Sequence, residues 1–224
     1  MAVTLSVENA IAGRRSVRQF LSLTIARETI EEILIIASRA PSGSNIQPWK
    51  VHVLQDAAKL DLENRLMFAY DRGDLGAEEY QYYPSPWREP YLARRRKVGW
   101  DLYSLLGIDR SDKKGMSDQL RRNFNFFGAP VGLIFTIDRD LPVGSWLDYG
   151  MFLQNIMIAA RAKGLETCPQ QAFAAYHKII RSCLGLADTE IVICGMALGF
   201  ADWSATVNKL VTQRIAPSEF AIFY

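Results

Sequence analysis

The chain has 224 residues, enough for one large domain to bury a core without disulfide or metal staples. Apolar residues make up 49% and charged residues 22%, ordinary globular proportions, and a net charge of +2 argues against a surface that coats nucleic acid. No apolar run approaches the roughly 20 residues of a membrane span, and the opening MAVTLSVENAIAGRRS lacks the basic start and long apolar stretch of a signal peptide.

In chain order, residues 5–14 predict a short helix with Ser6 as its cap, ahead of Val7, Ala10 and Ile11. The basic stretch Arg14-Arg15-Ser16-Val17-Arg18-Gln19-Phe20 follows, with no continuing apolar period. Residues 27–39 predict a helix, because Ile30, Ile33, Leu34 and Ala37 recur at i, i+3, i+4 and i+7 and Glu28, Glu31 and Glu32 favour its positive end. Pro41 and Gly43 stop it, and the loop from Pro41 to Trp49 leads into a short strand over 50–54. A helix is expected over 57–70. Residues 71–118 carry Tyr80, Tyr82, Tyr83, Trp87, Tyr91, Trp100 and Tyr103 among many charges and read as an inserted helical segment within one domain spanning 1–224. The β-branched run 131–137 predicts a buried strand, and 190–200 a second one. Between them Ser145, with Asp148, has the pattern of a capping box opening a helix to about Lys163, closed by Gly164. Its apolar residues occupy nearly every face, which predicts burial in a core or between subunits. Residues 174–184 predict a helix closed by Gly185, and the tail 219–224 has strand-like content.

Cys168, Cys183 and Cys194 are odd in number and never in C-x-x-C spacing, which reads as reduced thiols in a cytoplasm. His52 and His177 are too few and too scattered for a zinc site, so no metal is expected. No G-x-S-x-G elbow occurs, and neither G-x-G-x-x-G nor G-x-x-x-x-G-K-[ST] is present, so any nucleotide site is built on another plan.

Four elements can carry chemistry. Arg14, Arg15 and Arg18 with Ser16 put three guanidinium groups and a hydroxyl within five residues, a set that matches a phosphomonoester but equally suits a solvated loop. In the Pro41–Trp49 loop, Ser42, Gly43 and Ser44 let backbone approach a ligand, and Asn45 and Gln47 offer amides to a heterocycle edge. The third is Thr167-Cys168-Pro169-Gln170-Gln171. The fourth is Asn208 and Arg214 in NKLVTQRIAP.

Taken in this order, RRSVR, PSGSNIQPW, GLETCPQQ and the distal Arg214 resemble the FMN-dependent nitroreductase family, and most closely its branch acting on nitrobenzoates and nitroaromatics. The resemblance spans the chain apart from 71–118. It implies an α+β fold, a mixed central sheet flanked by helices, and an intertwined homodimer with two FMN sites at the interface. Arg14, Arg15, Ser16 and Arg18 would hold the phosphate, ribityl chain and pyrimidine edge. Pro41, Ser42 and Asn45 would come from the partner subunit. Pro169, Gln170 and Gln171 would line the flavin near N5, Arg214 would reach the phosphate, and the tail to Tyr224 would embrace the other subunit. Many relatives carry an acidic residue or glycine near the position of Gln171. The implied reaction is ping-pong hydride transfer from NADPH or NADH, reducing a nitro group to nitroso and hydroxylamine products. No side-chain acid or nucleophile is required, because the flavin carries the chemistry. Arg18 is the candidate to stand beside the flavin N1/C2 carbonyl. The insertion's aromatics could roof the open face, and Arg94-Arg95-Arg96-Lys97 could attract an anionic substrate or simply form a solvated helix face. Alternatives on the same fold are reductive dehalogenation, flavin fragmentation, and a flavin-binding sensor without turnover.

Overall fold

The computed structural model describes residues 5–224; residues 1–4 of the opening stretch lie outside them. Helix α1 (Val7–Gly13) starts where expected, with the Ser6 hydroxyl accepting the Asn9 N–H at 3.2 Å. Helix α2 (Arg27–Ala37) turns Ile30, Ile33 and Ala37 inward. Strand β1 (Lys50–Leu54) and helix α3 (Asp56–Asp71) follow, then helices α4 (Tyr91–Leu105) and α5 (Lys113–Arg121). Strand β2 (Val131–Asp138), helix α6 (Val143–Ala162), strand β3 (Glu166–Gln170), helix α7 (His177–Leu184) and strand β4 (Glu190–Gly199) complete the regular elements.

Among the described residues four strands form one sheet in the order β1-β2-β4-β3. Every ladder is antiparallel, and the parallel part expected of a mixed sheet is confined to an isolated bridge between Ser16 and Thr167. Two apolar clusters cover its two faces, one with α2 and α6, the other with α3, α7 and the phenylalanines of 124–127. Strand alternation assigns residues to these clusters. On β4 the phase is broken by a bulge, because Phe135 pairs with Cys194 but Thr136 pairs with Val192, leaving Ile193 as the extra residue. Ile191 before the bulge, Ile193 in it, and Cys194, Met196 and Leu198 after it therefore all reach the α2/α6 cluster.

Two expectations change. Helix α6 begins at Val143 with Pro142 as its N-cap, so Ser145 is buried in the first turn and caps nothing, and Asp148 serves a loop instead. Pro142 is extended at the N-cap, φ −78° and ψ −179°, and the helix is already under way when it reaches the serine. On α6, Leu147 is 72% exposed in the single chain, so on that side only the burial between subunits expected above is left open. The tail forms only a 3-10 turn, Pro217–Glu219, and exposes Phe220, Ile222, Phe223 and Tyr224. Elsewhere the boundaries held closely: Gly164 and Gly185 end their helices in the left-handed conformation, and α7 is preceded by a 3-10 turn over Gln171–Tyr176. Residues 72–90 lead into α4 without helix or strand.

Candidate active site

The arginine-rich segment leaves α1 in extended conformation and is fixed along its backbone. The Val17 N–H donates to the Thr167 carbonyl at 3.1 Å, joining the segment to β3. One residue on, the Arg18 N–H donates to Asn208 Oδ1 at 2.7 Å. Buried Asn208 returns its amide to the carbonyls of Gln19 and Asp202, both at 2.8 Å. Arg122 adds a donor to the Arg18 carbonyl at 3.0 Å. Behind the segment Arg161, near the end of α6, donates to the Gly13 carbonyl at 2.6 Å and pairs with Glu166 at 2.8 Å. The backbone is thus held while the guanidinium groups stay available.

Those groups carry charge without a partner. Among the described residues Arg14, Arg15, Arg18 and Arg214 have no carboxylate within 4.0 Å. Burial, and then the nearby charge of Arg214, pull the Arg14 guanidinium below its usual value. A cleft of about 420 Å³ lies between Ile11, Gly13, Arg14, Arg15, Gln154 and Arg214. Arg14 and Arg15 are half-buried and Arg214 is exposed at this cleft; neighbouring cations so placed suit an anion, and a phosphomonoester would match them bidentately. Arg18 turns one N–H to the Ser16 carbonyl at 3.2 Å, and Arg15 lies over the Trp203 ring at 5.4 Å. The Cys168 thiol beside them is raised by burial, against the pull of Arg18 and Arg14.

The Pro41–Trp49 loop is built differently. Its polar residues Asn45 and Gln47 are exposed, as is Pro41, while Ser42 is half-buried. Ser44, Asn45 and Gln47 all adopt positive φ, at 49°, 57° and 49°. This conformation is held by Asp148, which accepts the Gly43 N–H at 3.0 Å, and by Ser42, whose hydroxyl accepts the Gln47 N–H at 3.0 Å. Trp49 stacks on Phe152 at 4.7 Å, and the Tyr149 hydroxyl donates to the Lys50 carbonyl at 2.7 Å. All of these anchors below the loop are on the first half of α6, whereas the arginine segment is tied to Arg161 near the other end. Along α6, Asp148 and Arg161 stand about 20 Å apart at 1.5 Å of rise per residue.

The third element proves to be strand β3, hidden in the sequence by its shortness and its proline. Alternation exposes Pro169 and buries Gln170, whose amide donates to the Asn123 carbonyl at 2.8 Å while its Oε1 has no partner. Gln171 donates to the Tyr80 hydroxyl at 2.6 Å, beside a cleft of about 280 Å³ that Tyr82, Tyr83 and Leu120 also line. The structure therefore brings Arg14, Arg15, Ser16, Arg18 and Arg214 together with β3 and leaves Pro41, Ser42, Asn45 and Gln47 on another part of the same chain. Sequence reasoning missed Arg161, Arg122, Asn123 and Tyr80. A cation in the last turn of α6 was the one available signal, for Arg161. Among the described residues no group of three or more His, Cys, Asp or Glu could hold a metal, and no helix is long and apolar enough to cross a membrane.

A helix-flanked antiparallel sheet with an unpaired arginine cluster against its edge strand defines a class of small-ligand protein, and comparison gives the family. The model described as "Nitroreductase family" matches residues 11–200. The chain belongs to the nitroreductase family. It is 44% identical to the 4-nitrobenzoate reductase of Pseudomonas putida, over 99% of this chain and 96% of that protein. It is 41% identical to the chloronitrobenzene nitroreductase of Comamonas testosteroni, over 97% and 96%. Among solved structures, the FMN and NADPH-dependent nitroreductase NfnB from Sphigopyxis sp. strain HMH superposes with a TM-score of 0.94 at 37% identity, covering 98% of this chain and 99% of that one. NfnB of Mycobacterium smegmatis, an FMN-dependent nitroreductase solved with NADPH, gives 0.92 at 30% identity, covering 97% of each.

Proposed function

We propose that the protein is an FMN-dependent NAD(P)H nitroreductase acting on nitroaromatic compounds as a homodimer. The observation that carries this is the separation just described. A cationic cleft for a phosphate and a rigid polar loop for a heterocycle edge hang from opposite ends of one 20-residue helix. Two copies in a two-fold arrangement would bring the loop of one chain to the cleft of the other.

In this reading Arg14, Arg15 and Arg214 hold the FMN phosphate and Ser16 holds the ribityl chain. Arg18 stands at the pyrimidine edge, where its charge favours electron density on the ring. Pro41, Ser42, Asn45 and Gln47 of the second copy close that edge. Pro169, Gln170 and Gln171 lie at the N5 side. Bound FMN would supply two-electron hydride transfer, accepting from the nicotinamide and delivering to the nitro compound in turn. The residues supply binding, orientation and electrostatics. NADPH is the favoured donor, by likeness to NfnB. The exposed tail from Phe220 to Tyr224, with Leu147 on α6 and Ile35 and Ile36 on α2, offers the second copy an apolar surface. One domain with 71–118 as an aromatic roof is the matching organisation, and the free cysteines suit a cytoplasmic enzyme.

The test is the visible spectrum of the purified protein during anaerobic addition of NADPH and then 4-nitrobenzoate. The reading expects the absorbance of oxidised flavin, bleaching by NADPH, and recovery with the nitro compound. A protein that cannot take up FMN overturns it, and bound flavin that neither NADPH nor NADH reduces favours a sensor.

A further inference from the structure

The segment 72–90 has no helix or strand, yet it is fastened to the core at closely spaced points. The Ala77 N–H donates to the Ala175 carbonyl at 2.7 Å, and the Tyr176 hydroxyl donates to the Asp74 carbonyl at 2.5 Å. Gly76 sits at φ +70°, so close that a Cβ there would lie 2.3 Å from the Ala175 carbonyl oxygen, and only glycine fits. Glu79, its carboxylate 10% exposed, meets Arg139 at 2.8 Å, His177 at 3.3 Å and Arg181 at 3.6 Å.

These fastenings deliver Tyr80 to one place. Strand β3 ends opposite Gly195, so no β3 residue pairs with the bulge residue Ile193. The Tyr80 hydroxyl donates to the Ile193 carbonyl, and the same oxygen accepts the Gln171 amide at 2.6 Å. The ring is braced edge-on by Trp146, 4.6 Å away between centroids. Burial holds the Tyr80 phenol well above its ordinary range, so the hydroxyl keeps its proton and remains a donor to the bulge. A bulge carbonyl, a phenol and a carboxamide thus form one chain of hydrogen bonds that ends on the residue directly following β3.

We infer that Tyr80 is a positioning residue of the flavin site: seated on the Ile193 carbonyl, its hydroxyl fixes Gln171 and with it the end of β3 against the ring. This rests on the FMN reading above. The physical requirement is orientation. Gln171 has several rotatable bonds, and without an acceptor for its amide it would sample geometries that face the ring differently. Tyr80 removes that freedom without touching the cofactor. It also ties the position of the ring to the segment that carries Tyr82 and Tyr83.

The experiment is a double-mutant cycle on the purified holoenzyme using Tyr80→Phe, Gln171→Ala and the pair. It reads the flavin midpoint potential, the FMN dissociation constant and the rate of flavin reduction by NADPH. Loss of one oriented hydrogen bond predicts a fall of about three- to tenfold in that rate for each single variant. The potential should shift in the same direction in both, and the double variant should be no worse than the poorer single one. If Tyr80→Phe lowers only the melting temperature and leaves potential, affinity and rate at wild-type values, Tyr80 is a core residue and the inference fails. Additive effects would also overturn it, because the two residues would then act separately. Should Tyr80→Phe fail to fold, Gln171→Leu removes the amide and spares the bulge; wild-type potential and rate in that variant would refute the inference. A wild-type protein without affinity for FMN fails at an earlier point and brings down the flavin reading itself.

Discussion

The two ends of α6 anchor their neighbours by opposite means. Near its C-terminal end Arg161 is nearly buried, donating to a carbonyl and pairing with the Glu166 carboxylate, and beyond it four more arginines have no carboxylate within 4.0 Å among the described residues. Near its N-terminal end the anchors are an aromatic stack, a phenol and one carboxylate, and what they hold is backbone in an unfavourable conformation. The first region stores electrostatic energy that a bound anion would release. The second stores conformational energy that keeps a polar edge rigid. A ligand with a phosphate at one end and a heterocycle at the other has use for both.

The sharpest way to break the charged end is Arg161→Met. The pair with Glu166 is nearly sealed, with the two side chains 14% and 10% exposed. Leaving the carboxylate with only the more distant charges of Arg15 and Arg14 should cost up to about 3 kcal/mol in denaturant unfolding. Burial already lifts the Glu166 carboxyl above its usual value while Arg161 works against the lift. Without Arg161 the folded-state pKa rises further above the unfolded one. A group raised in this way favours folding below its unfolded pKa and loses that contribution as pH rises through the folded value. The variant's deficit should therefore be largest in mild alkali and shrink toward acid, which unfolding curves across pH would measure.

Arg14→Ala should separate binding from folding at the same end. Burial and Arg214 both oppose the Arg14 charge, so the apoprotein should unfold no more easily than wild type. Affinity for FMN should nevertheless fall about 10- to 100-fold, the worth of a charge-assisted hydrogen bond of about 1.5–3 kcal/mol. Inorganic phosphate should likewise raise the wild-type melting temperature more than the variant's.

The same contrast explains what could be read in advance. Strands β2 and β4 were legible because both faces are buried and their β-branched runs are continuous. The arginine cluster is legible because Arg14, Arg15 and Arg18 lie within five residues. Strand β3 was not, since five residues that include Pro169 lack a strand pattern, and their pairing is decided by Met196 and its neighbours on β4. Ser145 misled because a capping pattern is local, whereas Pro142 opened the helix earlier and the loop at Gly43 claimed Asp148. Tyr80 lay beyond reach altogether: its partners at Gln171 and Ile193 are about a hundred residues away, and the bulge that makes room for it changes one step of one ladder. Long-range geometry of this kind leaves no periodic trace.

At the neutral end the largest single effect should come from Asp148→Ala. It strips the Gly43 N–H of a carboxylate acceptor, worth about 1.5–3 kcal/mol for a charged hydrogen bond. Amide exchange should rise in the 43–47 loop while α6 stays protected. FMN affinity should fall even though no arginine has been touched, and retention of wild-type affinity would show that the loop does not serve the cofactor.

The smallest and most informative change is Ser44→Gly. Ser44 sits at φ 49° and ψ 24°, a left-handed conformation that costs a residue with a Cβ about 1 kcal/mol or more. Glycine removes that strain but gives the unfolded chain more freedom, which offsets part of the gain. The net should be a stabilisation of about 0.5 kcal/mol in the apoprotein. Asn45→Gly should gain less, because asparagine tolerates the same region. If the strained loop exists to present a rigid edge, Ser44→Gly should bind FMN slightly more weakly despite folding more stably. Equal or tighter binding would mean that the strain is incidental to how the chain passes from Pro41 to Trp49.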